Sequence, residues 1–200
     1  MIKNSVIEPN VTAARNLAKE DVKAAVLDNI EAISANPKAA SVFFEASTEL
    51  LEGVQCSAQV RDFPSMIIDE LPALGGNNAG PNPVELLLVA MGTCQEVMYS
   101  AYASVMGINL ESVKVTLKGD MDLKGMLGLD ENTPSGYNKI SFKTSIESDA
   151  DEETLMSLIA AVEDHCPVMD TILREITISG SAEVNGKELL RTAAKKARVQ

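Results

Sequence analysis

The chain has 200 residues, 46% hydrophobic and 23% charged, enough to bury a sizeable core in one domain with or without an extension. A formal net charge of −12 argues against nucleic acid and against an anionic membrane surface, because both need a basic face. Three cysteines, one histidine and no CxxC pair exclude a disulfide scaffold and a zinc site. No signal-peptide pattern and no membrane-length apolar run is found, so a cytoplasmic protein without metal or cofactor is expected.

In chain order, residues 11–34 place Val11, Ala14, Leu17, Val22, Val26, Ile30 and Ile33 at helical spacing, with Thr12 or Asn10 as cap and Asn36-Pro37 as the stop. Residues 1–40 are therefore expected to form a helical extension. From Ser41 the pattern turns to strands: Ser41 to Leu50, Val54 to Asp62, and Ser65 to Leu71. A loop follows over 74–81. Pro83 suits the first turn of a helix capped by Asn82, running to Met106 and ended by Gly107. Its first half is apolar on every side save Glu85, which predicts a central, buried helix.

Glu111 to Met121 and Tyr137 to Glu147 read as two strands around a Gly-rich loop over 124–136. Ser148 or Asp149 caps a helix to His165, Pro167 breaks it, and Val168 to Leu173 adds a helical turn. Glu175 to Val184 reads as a last strand and Gly186 to Arg198 as a polar helix ending in a solvated basic cluster. The plan is α+β, in the order β-β-β-α-β-β-α-β, with antiparallel sheet and two long helices. The expected organisation is 1–40 extension, 41–184 main domain, 185–200 tail.

Two cysteines sit where chemistry is conceivable. Cys94 lies three turns into the central helix, where burial alone makes it a small core residue. Gly92 and Thr93 beside it leave room for a substrate or another backbone to approach. Cys166 precedes Pro167, so its thiol stands near a helix N-terminus, which favours thiolate. Spacing alone does not show that the two meet. Cys56 alternates with Val54 and Ala58 on an inward strand face and reads as core.

The segment Gly80-Pro81-Asn82-Pro83-Val84-Glu85-Leu86-Leu87-Leu88-Val89-Ala90-Met91-Gly92-Thr93-Cys94, and later Cys166-Pro167-Val168, resemble the two signatures of the OsmC/Ohr family. The resemblance covers roughly 41–184. It implies an intertwined homodimer, with two central helices between two sheets and a site at the subunit interface. It also implies that Cys94 attacks the O–O bond of an organic hydroperoxide and that Cys166 resolves the sulfenic acid as a disulfide. An external thiol or lipoyl reductant then resets the pair.

Active members hold the thiolate with an arginine that a glutamate orients. The family's glutamate follows Asn-Pro directly; here Val84 takes that place and Glu85 comes next. Arg61 is the available cation, being the only arginine between residues 16 and 173. Arg174 and Lys118 are weaker substitutes, and His165 is a possible base. A competing reading is a non-catalytic module that holds a small apolar ligand in a pocket of Met91, Met98, Phe63 and Leu87. A third is a redox-sensing protein that docks through its N-terminal helices.

Overall fold

A computed structural model describes residues 19–190. The expected start of the first helix at 11–18, its caps and the basic cluster near the C-terminus lie outside the described residues.

Helix α1 (Lys19–Ala35) ends where Asn36-Pro37 opens a 3-10 turn, Pro37–Ala40. Pairing starts only at Ser47, so residues 41–46 are unpaired where a strand was expected, and Phe44 is 92% exposed. A three-stranded antiparallel sheet follows in the order β1 (Ser47–Glu52), β2 (Gln55–Gln59), β3 (Met66–Ile68). Ser47 pairs with Gln59 and Leu50 with Cys56, and Ala58 pairs with Met66.

Helix α2 (Pro83–Met106) is the longest helix among the described residues. Its start is a full capping box: the Asn82 side chain accepts the Glu85 N–H at 2.8 Å, and the Glu85 carboxylate accepts the Asn82 N–H at 2.9 Å. Gly107 at φ +73° ends it in the left-handed conformation. The loop before it is pinned by buried Asp69, whose carboxylate accepts the N–H groups of Glu70, Asn77 and Ala79.

Strands β4 (Leu110–Met121) and β5 (Tyr137–Ser148) form a long antiparallel ribbon, Val115 facing Thr144. A short helix α3 (Leu123–Met126), capped by Asp122, lies in the loop between them. Helix α4 (Glu152–His165) is capped by Asp151, which accepts from the Thr154 N–H at 2.9 Å, a little later than Ser148 or Asp149, the caps expected from sequence. Helix α5 (Pro167–Leu173) follows after one residue, Cys166.

The end of the described chain corrects the sequence reading. Residues 175–180 carry no strand, and Lys187–Leu190 is a strand rather than the start of a helix. It pairs with Ser181–Val184 as a β6–β7 hairpin around Asn185-Gly186, both at positive φ. Asn-Gly between two strand-forming runs is a strong hairpin signal, and here it outweighed the helical propensity of Lys-Glu-Leu-Leu.

The core sits where α2 packs on the β4–β5 ribbon and on α4, with Tyr99, Ala103, Ile108, Leu158 and Val162 at its centre. α1 lies against α2 as well. Burial of α2 on all sides is not reached within one chain: Val97 is 65% exposed and Val89 53%.

Candidate functional site: a thiol pair on the central helix

Two apolar clusters follow one another along α2. Tyr99 and Ala103 pack with Leu158 and Val162 of α4, while Met91 and Cys94 pack with Cys166 and Met169. Moving back along α2 therefore means moving forward through α4 and into α5. This opposed direction delivers Cys166 to Cys94. Pro167 forces the break between α4 and α5, since it has no N–H to continue the first helix and a φ suited to starting the second.

Both thiols are free, and Cys94 packs against the buried cluster that contains Cys166. Cys166 is fully buried, whereas Cys94 is half-buried and therefore the accessible partner. Burial pushes the Cys94 thiol above its ordinary pKa, and the neighbouring Cys166 adds to that. The backbone N–H of Val168, in the first turn of α5, donates to the Cys94 sulfur and works in the opposite direction. Such an N–H is free because the first turn of a helix has no intrahelical acceptors for it. Cys166 is the N-cap of α5, where sequence reasoning put it, and the Val168 amide of the same first turn favours the Cys94 thiolate.

A Cβ at Gly92 would stand 2.6 Å from Cδ1 of Leu117, so that side-chain end would have to shift. The small residues Gly92 and Thr93 border a cavity of about 360 Å3 whose far wall is Val115, Thr116 and Leu117 of β4.

A cavity of about 400 Å3 adjoins the thiols, lined by Leu87, Met91, Ile140, Phe142, Met169 and Leu173. It shares Met91, Ile140 and Met169 with the cluster that holds the cysteines. Of the expected lining, Leu87 and Met91 are there. Met98 packs instead against the Tyr99 cluster, and Phe63 lies under the Arg61 guanidinium at 4.6 Å.

The expected supporting residues are not gathered at the thiols within one chain. Glu85 is nine residues before Cys94 on the same helix, about 13 Å along its axis, and its carboxylate closes the capping box. Arg61 occupies a left-handed turn after β2, φ +48°, stacked on Phe63. Arg174 pairs with Asp170 at 2.5 Å and Lys118 with Asp120 at 2.9 Å. His165 rests its ring against Tyr102 and its Nδ1 2.9 Å from the Ala161 carbonyl. Cys56 is half-buried on β2, apart from the pair. Among the described residues no group of three His, Cys, Asp or Glu side chains is placed to hold a metal, and no helix is long and apolar enough to cross a membrane.

Residues 75–180 match the family model described as OsmC-like protein, a span that contains both cysteines. The chain belongs to the OsmC-like family. A relative from Haloferax volcanii, an uncharacterized protein, is 26% identical over 142 residues, 69% of this chain and 96% of its own. The OsmC-like protein of Mycoplasma pneumoniae superposes with a TM-score of 0.58 at 19% identity, over 66% of this chain and 89% of that one. An organic hydroperoxide resistance protein OsmC from Legionella pneumophila gives 0.52 at 18% identity, over 66% and 91%. At these identities the structures establish a shared OsmC-like fold. The part of the chain before residue 75, including Arg61, lies outside the family match.

Proposed function

We propose that this OsmC-like chain reduces organic hydroperoxides with Cys94 as the attacking thiol and Cys166 as the resolving one. The observation that carries this is the contact of the two free thiols beside an apolar cavity. A family member from Legionella pneumophila bears the name organic hydroperoxide resistance protein, which fits a peroxide role.

The chemistry balances with the groups in hand. The Cys94 thiolate attacks the distal oxygen of ROOH; an S–O bond forms, the O–O bond breaks, and the alkoxide takes a proton to leave as alcohol. Cys166 then attacks the Cys94 sulfur as thiolate. The S–S bond forms, the S–O bond breaks, and hydroxide leaves as water with the proton Cys166 lost. An external thiol or lipoyl dithiol returns two electrons. The cavity takes the alkyl part of the hydroperoxide, and burial there favours apolar substrates.

The resting Cys94 is held as thiol, so turnover needs a cation beside it. The Arg61 turn belongs to a sheet whose Leu50 and Leu51 remain open. We assign Arg61 that role in an assembled homodimer, where the open sheet meets a second subunit. Glu85 remains the helix-capping carboxylate. The working unit is taken as residues 41–184, with 1–40 an extension and 185–200 a tail, in the reducing environment of the cytoplasm.

The test is peroxide turnover with cumene hydroperoxide and a dithiol. Cys94→Ser is expected to abolish it, and turnover at the parent rate in that variant overturns the reading. The raised pKa of Cys94 favours one alternative, a binding module that holds a small apolar ligand while its thiols stay inert. That alternative predicts ligand retention with no peroxide consumed.

A further inference from the structure

Gln95 follows Cys94 directly, is 0% exposed, and neither its amide nitrogen nor its amide oxygen has a hydrogen-bond partner. On α2 it lies one turn after Met91 and one turn before Tyr99, at the seam between the thiol cluster and the main core. α4 ends at that seam in Cys166, which is equally buried. A buried amide with both ends unpaired is uncommon in folded proteins, because apolar residues fill such positions without the desolvation penalty. The rest of this helix face is apolar, so packing does not require the amide.

Resolution of the oxidised state makes a demand that the resting state does not. Cys166, which is fully buried, attacks the Cys94 sulfenic acid as thiolate, and a charge formed in a buried site needs hydrogen-bond donors around it. An amide offers both halves of what is needed, an oxygen to accept the S–H and an N–H to donate to the thiolate. We propose that Gln95 is a positioning residue for Cys166, keeping its hydrogen bonds for that sulfur as it closes the disulfide. This rests on the peroxide-reducing reading, and it deepens it by assigning a residue to the second step alone.

Gln95→Met keeps the volume and removes the amide. After one equivalent of cumene hydroperoxide, Cys94 sulfenic acid should form at the parent rate and persist, as read by dimedone trapping and mass spectrometry. Disulfide closure should slow by about ten-fold, the worth of one hydrogen bond to a charged group, and its pH profile should move to higher pH. The melting temperature of the reduced variant should equal or exceed the parent's, since an unpaired amide has been removed. Gln95→Leu, with a shorter side chain, should behave in the same way. Closure at the parent rate with an unmoved pH profile overturns the proposal, and so does a lower melting temperature in both variants. If the parent protein forms neither sulfenic acid nor disulfide when treated with hydroperoxide, the peroxide reading fails and this inference falls with it, a result distinct from the other two.

Discussion

Cys94 keeps its proton because burial and the adjoining Cys166 thiol both penalise its charge, while a single Val168 N–H favours it. The chain made monomeric by Val97→Glu should therefore be alkylated by iodoacetamide at Cys94 with a pH midpoint above that of an ordinary thiol, and buried Cys166 should react more slowly still. Mass-spectrometric labelling across pH checks this; a midpoint near neutrality contradicts it. The same shift has a sign for stability. A group whose folded pKa is raised stabilises the fold below its unfolded pKa, and that contribution disappears as pH rises through the folded value. Gly92 gives a second prediction at this scale. Gly92→Ala puts a Cβ 2.6 Å from Cδ1 of Leu117, the movable end of a side chain, and gains about 1 kcal/mol of helix propensity. Urea unfolding should place it within about 1 kcal/mol of the parent, and a loss above about 3 kcal/mol contradicts this. Both cysteines were visible in sequence through their motifs, and their meeting was not, because it depends on the opposed packing of α2 and α4. Arg61 was nominated by scarcity of arginines. Nothing local in its sequence indicated a left-handed turn that would hold it over Phe63.

At the scale of elements, legibility followed local chemistry. The α2 helix was readable because its signals are short-range: Asn82 and Glu85 close the cap and Gly107 supplies the positive φ. The β4–β5 ribbon was readable from alternation. Residues 41–46 misled because Val42, Phe43 and Phe44 have strand propensity yet find no neighbouring strand among the described residues. The tail misled because helical composition was weighed ahead of the Asn185-Gly186 turn. Asp69 was not legible as a pin, since its three N–H donors come from residues 70, 77 and 79 in a loop with no regular pattern. Those donors, that of Ala79 foremost, hold its carboxyl below the usual carboxylate range. Its stabilisation is then present above the unfolded carboxyl pKa and is lost as pH falls through the folded one. Asp69→Asn should lower the melting temperature at pH 7 and narrow the gap between variant and parent toward pH 3. An unchanged gap across that range contradicts the assignment.

At the scale of the whole molecule, much apolar surface is open on the single chain. Leu50, Leu51, Met66 and Ile67 on the three-stranded sheet, and Val89 and Val97 on α2, are all exposed. Patches of this extent mark interaction surfaces. A homodimer that covers them agrees with the all-round apolar character of α2, which one chain leaves half satisfied. Light scattering should give a dimer mass, and Val97→Glu should shift it toward monomer with a loss of peroxide turnover. A monomeric parent with full turnover contradicts the dimer.

The central claim is that Cys94 and Cys166 act as one redox pair. Its most direct test is non-reducing peptide mapping after a stoichiometric dose of cumene hydroperoxide. The account predicts a single intramolecular Cys94–Cys166 disulfide, absent in Cys94→Ser and in Cys166→Ser, with Cys56 left as a free thiol. A disulfide through Cys56, or both site thiols recovered reduced, contradicts it.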